Sequence, residues 1–179
     1  DQDAVRPHGH AIEARVYAED SFGGFLPQAG RTSIVRWPAG ARVDHALEPG
    51  QVVSTSFDPM LGKVIVHGPD RESARRALVD ALDRTAILGL TTNTGFLRAL
   101  VASEEFAEAS IDTAWLDRHT LPTPDDELPR VFVAWVSAML AAGTDAEQPF
   151  QSDGWRSGAD PAPTIVELDR TVVVDRYTG

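Results

Sequence analysis

The segment Gly9-His10-Ala11-Ile12-Glu13-Ala14-Arg15-Val16-Tyr17-Ala18-Glu19-Asp20 alternates through its centre. Ile12, Ala14, Val16 and Ala18 fall on one side; Glu13, Arg15 and Tyr17 fall on the other. A period of two is the mark of a strand with one face buried and one face wet. Three polar side chains therefore share the wet face. An arginine held beside a carboxylate on a rigid strand can present its guanidinium to an anion in a fixed pose. Read from the residues alone, a surface ion pair accounts for Glu13 and Arg15 equally well.

Outward from that strand, Glu19 to Gly30 is rich in Gly, Pro and Ser and reads as a loop. Short β-like runs follow at 32–37, 41–47 and 52–55, separated by Pro38-Ala39-Gly40 and Pro49-Gly50. Asp58-Pro59 marks another turn, and Lys63 to His67 reads as a more buried strand. Asp70 is placed to cap a helix whose Ala74, Ala77, Leu78, Ala81 and Leu82 recur at helical spacing. Gly89 is read as the stop of that helix or a point just beyond it. A second helix is expected from Thr92 or Thr94, with Phe96, Leu97, Leu100 and Val101 on one face. Ser103 and Asp112 are read as caps of two short turns carrying Phe106 and Trp115.

Residues 120–129 are rich in Pro, Asp and Glu and read as a linker between a domain at 1–119 and a second unit at 130–179. The second unit opens with a helix from Arg130 to Ala142. A polar loop from Gly143 to Ala162 follows, then strands at 164–168 and 171–177 joined by a turn at Asp169-Arg170. Two strands make no stable sheet alone, so this unit reads as incomplete. The chain also opens on Asp1 rather than Met, and it is expected to be a fragment of a longer protein. The fold class is α+β, with short antiparallel strands and helices packed to one side, followed by an incomplete helix-plus-β segment.

The 179 residues carry a formal net charge of -11, which argues against non-specific nucleic-acid binding and against docking on an anionic membrane. Val131 to Ala142 is too short an apolar run to span a bilayer. With no cysteine there is no disulfide, thiolate metal site or cysteine nucleophile. A cytoplasmic protein is the expectation. No P-loop, dinucleotide fingerprint, serine-hydrolase elbow or zinc-protease motif occurs. His8 and His10 have no third ligand at useful spacing, so no metal site is expected within the chain.

Motifs in order carry a resemblance. The opening segment resembles the start of the biotin carboxylase C-terminal domain, GHA-[IV]-E-x-R-[IV]-x-A-E-D. Phe25-Leu26-Pro27 with Gly30, then Asp58-Pro59-Met60-Leu61-Gly62-Lys63, then Gly89-Leu90-Thr91-Thr92-Asn93 with Phe96-Leu97, and finally Ile111-Asp112-Thr113 are similar to the motifs that follow in that family. Phe57 stands where the family usually has Tyr, and Ser21 where Pro is common. Asp153-Gly154-Trp155-Arg156 and the strands after it resemble the start of the domain of acyl-CoA carboxylase α-subunits that contacts the carboxyltransferase.

The resemblance implies a ligase of ATP-grasp fold that uses ATP and Mg2+ (or Mn2+) to activate bicarbonate. It then carboxylates biotin on a carrier domain, in acetyl- or propionyl-CoA carboxylation within fatty acid metabolism. Pyruvate or urea carboxylase is the alternative setting for the same half-reaction. Arg15 matches the arginine that stabilises the biotin enolate and so contacts that cofactor. Glu13 and Glu19 match motif positions with an orienting role, and Asp58 matches a position near the cleft. The nucleotide, magnesium and bicarbonate ligands of the family lie in parts this chain lacks. The chain alone is therefore expected to be inactive and to bind no ATP, metal or biotin by itself. Implied partners are the biotin carboxyl carrier domain and a carboxyltransferase β-subunit; self-association is common in the family. A reading of another class makes residues 121–179 a non-catalytic docking module that uses Trp135, Trp155 and the apolar helix around Val131 to Leu140.

Overall fold

The computed structural model describes residue 4 and residues 6–125, 127–141, 164–168 and 171–174. The chain divides into two compact units, Asp1–Thr123 and Pro124–Gly179. No described helix is long and apolar enough to cross a membrane.

The first unit is organised by β1 (His10–Tyr17) and β8 (Met60–Gly68), which pair antiparallel from His10↔Gly68 to Tyr17↔Met60. β6 (Arg42–His45) pairs with the other side of β8, giving the order β1-β8-β6. Five shorter strands precede β8 besides: β2 (Glu19–Asp20), β3 (Leu26–Pro27), β4 (Gly30–Arg31) and β5 (Ile34–Arg36) come before β6, and β7 (Val52–Val53) comes after it. They form small pairs, β2 with β3 and β4 with β7. The stretch from Glu19 to Gly30 is thus a small hairpin and not an unpaired loop; the Asp20 carboxylate accepts from Gly23 N–H at 2.8 Å and closes it.

Alternation sorts the sheet. Ala14, Val16, Val64 and Val66 are buried, whereas Glu13, Arg15 and His67 are exposed. The helix α1 (Arg71–Asp83) packs on the inner face, with Ala74, Leu78, Ala81 and Leu82 buried in one cluster with those strand residues. Its cap is Asp70, whose Oδ1 accepts from Ser73 N–H at 2.7 Å. Close packing dictates Gly62: a Cβ there would meet the Trp37 ring and His45 Cβ, each at 2.9 Å.

After α1 the structure differs from the sequence reading. The helix ends at Asp83, and Ala86–Leu88 forms β9, paired antiparallel with β5. Gly89 ends this strand and not the helix: its φ of 106° favours glycine, and a Cβ would collide with Arg31 O. The helices α2 (Thr94–Ala102), α3 (Glu104–Ala107) and α4 (Trp115–Arg118) complete the unit. Ser103 caps α3 through Phe106 N–H, while Asp112 bonds Ala114 N–H ahead of α4 instead of capping it.

The second unit holds α5 (Glu127–Ala141) and the hairpin of β10 (Thr164–Glu167) and β11 (Thr171–Val174). The helix starts three residues before the expected Arg130. Pro129 lies in its first turn, where a missing N–H costs nothing. Ala134, Ala138 and Val174 form a small core with Val166 and Val172. The loop expected from Gly143 to Ala162, Trp155, and the turn at Asp169-Arg170 lie outside the described residues.

Candidate functional site

The outward face of the β1-β8-β6 sheet gathers charge. Strand register places Arg15 opposite Lys63 and Lys63 opposite Asp44; the next row is Glu13, Ile65 and Arg42. Within β1, Arg15 Nε donates to Glu13 Oε1 at 2.9 Å, which is the i, i+2 pairing that a strand's geometry allows. Within β6, Arg42 grips Asp44 through two bonds, Nε to Oδ1 at 3.1 Å and Nη2 to Oδ2 at 2.9 Å.

These pairs set the electrostatics. The Glu13 carboxylate raises the pKa of Arg15 above the ordinary guanidinium value, with the Tyr17 side chain adding to it. Asp44 is held below the usual carboxylate range by Arg42, aided by Lys63. Three cations and two anions face outward, so the patch stays positive around Arg15. The Arg15 side chain keeps 59% of its exposure, which leaves it open to a partner from solution. As an exposed ion pair, Arg15–Glu13 adds little stability. Its value lies in orientation.

The backbone beneath Arg15 is fixed from elsewhere. Asn93 is buried and reaches β1 three times. Its Oδ1 accepts from Tyr17 N–H at 2.9 Å, its Nδ2 donates to Arg15 C=O at 3.1 Å, and its own N–H donates to Tyr17 C=O at 3.2 Å. Asn93 also stands in the N-cap position of α2, yet makes no side-chain cap bond. A missing cap of this kind typically costs about 1 kcal/mol. The sequence reading quoted Asn93 within a motif and gave it no role.

The other residues singled out from sequence sit apart from this pair. Asp58 Oδ1 accepts from Met60 N–H at 2.9 Å and shapes the turn that enters β8. It lines a groove of about 560 Å3 with Phe57, His45, Ser54 and Met60. Glu19 accepts from Ser21 Oγ at 2.7 Å, and its N–H donates to Thr91 C=O. The structure thus joins Glu13 to Arg15 and gives Asp58 and Glu19 local partners. Among the described residues no group of three His, Cys, Asp or Glu side chains is placed to hold a metal ion.

Comparison with known proteins matches residues 13–118 to the family described as the biotin carboxylase C-terminal domain. The chain is 40% identical over 116 residues to the mitochondrial propionyl-CoA carboxylase alpha chain of Homo sapiens, covering 63% of this chain and 16% of that protein. Among solved structures it is similar to the urea carboxylase of Kluyveromyces lactis, with a TM-score of 0.64 and 41% identity over 67% of this chain and 11% of that one. It is similar also to a biotin carboxylase–β-γ-ATP complex from Campylobacter jejuni, with a TM-score of 0.64 and 32% identity over 66% of this chain and 27% of that one. The chain therefore spans a minor part of each relative's length.

Proposed function

This chain belongs to the biotin carboxylase C-terminal domain family, and from that premise we propose that it supplies the biotin-facing wall of an active site completed by the rest of a longer polypeptide. The reaction is ATP- and bicarbonate-dependent carboxylation of carrier-bound biotin. ATP, Mg2+ and bicarbonate are held outside these residues. The chain by itself is expected to show no catalysis.

The observation that carries this reading is the Arg15 guanidinium, oriented by Glu13 and outward-facing on a strand clamped at its edge by Asn93. Biotin, when bound, supplies the ureido nitrogen that accepts the carboxyl group, and its ureido oxygen suits a fixed cation. Arg15 stabilises the negative charge that gathers on that oxygen as the nitrogen loses its proton. A planar fork serves better than a lysine ammonium, because it holds its donors in a set plane. Glu13 takes the Nε–H and so fixes that plane. Asp58 shapes the turn at the edge of the cleft.

Propionyl-CoA carboxylation is the preferred setting, on the identity to the human protein. Urea carboxylation is the alternative, on the similarity to the Kluyveromyces lactis enzyme. A biotin carboxyl carrier domain and a carboxyltransferase subunit are the partners in either case. A cytoplasmic site rests on the acidic, cysteine-free composition; the human relative is mitochondrial by name. The second unit is read as the start of a domain that docks the carboxyltransferase, on the exposure of Leu128, Phe132 and Trp135 along α5.

The test is ADP formation by the full-length polypeptide with bicarbonate and biotin each supplied and withheld. ADP release that requires both is the expected result. Release indifferent to biotin would mean another acceptor, and Arg15 would lose its role.

A further inference from the structure

We infer that Asn93 is a positioning residue for Arg15; the inference rests on the reading of Arg15 as the group that faces biotin. The order β1-β8-β6 leaves one edge of β1 without a neighbouring strand in that sheet. Asn93 occupies that edge. Residues two apart on a strand turn their N–H and C=O groups to the same side, and the Asn93 carboxamide spans Arg15 C=O and Tyr17 N–H as a strand's own peptide would.

The place matters. On the β8 side the ladder slips between Val16 and Tyr17, where pairing jumps from Gly62 to Met60 past Leu61. Such a bulge loosens the ladder and changes the local twist, so it re-aims nearby side chains. Asn93 grips β1 across that slip. With the peptides on both sides of Val16 fixed, the Cα–Cβ direction of Arg15 is fixed as well, and Glu13 then settles the far end of its side chain.

The residue type fits this use and not the local one. Ahead of a helix, Ser, Asp or Asn would each cap well. Only Asn offers a donor and an acceptor at this length: Asp cannot donate to Arg15 C=O, and Ser has one short hydroxyl. The residue is 6% exposed, and its side-chain amide goes to β1 while α2 goes uncapped by it. A local preference overridden in this way marks a site under functional demand.

The experiment is a double-mutant cycle in the full-length polypeptide, reading biotin-dependent ADP formation. Asn93→Ala should lower kcat by roughly 10- to 100-fold, the scale of an ångström-level misplacement, with the KM for biotin changed far less. Asn93→Asp, which keeps the acceptor for Tyr17 N–H, should fall between wild type and Asn93→Ala. In an Arg15→Ala background, Asn93→Ala should cost less than about twofold, because residues that act as one unit are non-additive. Equal losses with and without Arg15, or no loss in a folded variant, would overturn the inference. Should Asn93→Ala fail to fold by circular dichroism, Asn93→Asp carries the same cycle. A neutral Arg15→Ala would instead sink the function proposed for Arg15, and the two failures stay distinct.

Discussion

Ile12, Ala14 and Val16 look inward from β1 toward Leu78 and Val64, while Glu13, Arg15 and Tyr17 look outward from the same eight residues. The inner side chains are apolar; Ala14 and Val16 are buried and Ile12 partly so. They are interchangeable in kind, since what they contribute is volume and area removed from water. The outer ones contribute almost nothing to folding, because an exposed ion pair roughly breaks even. Their identity is set by what they can hold and at which angle. One strand thus carries two codes, and damage to either should leave a different signature.

The largest expected effect is on the inner code. Leu78 is fully buried against the sheet, and Leu78→Ala should cost about 2–5 kcal/mol by lost burial plus the cavity left behind. Urea denaturation reads this as a lower midpoint at unchanged slope.

Arg15→Ala strikes the outer code. Loss of one preorganised donor to a developing anion costs roughly 10²- to 10³-fold in kcat. Stability should hardly move, as for other exposed substitutions. A loss of stability on the scale of Leu78→Ala, without a loss of rate, would erase the division between the faces.

The smallest effect sharpens the contrast away from the site. Glu72 on α1 bonds Arg75 and Arg76, which hold its carboxyl at about 2 against an ordinary 4.5. A carboxyl depressed in the folded state contributes stability above its ordinary pKa and loses it as pH falls through the folded value. Part of the acid sensitivity between about pH 4.5 and pH 2 therefore belongs to Glu72. Glu72→Gln should flatten the fall in melting temperature across that window, by an amount that solvent screening keeps small.

How much was legible follows from the same physics. The alternation in β1, the cap at Asp70 and the spacing of Ala74, Leu78 and Leu82 are local signals, and each lies where it was read. Glu13 and Arg15 stand two apart on a strand, so their pairing is local as well. Ala86–Leu88 was not legible as a strand: three apolar residues after a helix carry no period, and their partner Ile34–Arg36 lies some fifty residues upstream. Asn93 was legible only as part of a motif, and its use was not. Its partners Arg15 and Tyr17 are 78 and 76 residues away in sequence. No local rule reaches that far. The acids and prolines before Arg130 hid the first turn of α5, because the same composition suits a linker and a helix start.

The hairpin β10–β11 pairs only with itself among the described residues, and Ile165 and Val173 sit opposite each other on its exposed side. Each outer edge offers a row of backbone donors and acceptors beside an apolar, β-branched surface. Such an edge is a template for further copies of itself, with none of the lysines or prolines that usually blunt one. Among the described residues, these eight are therefore where a further strand can extend the sheet of the second unit.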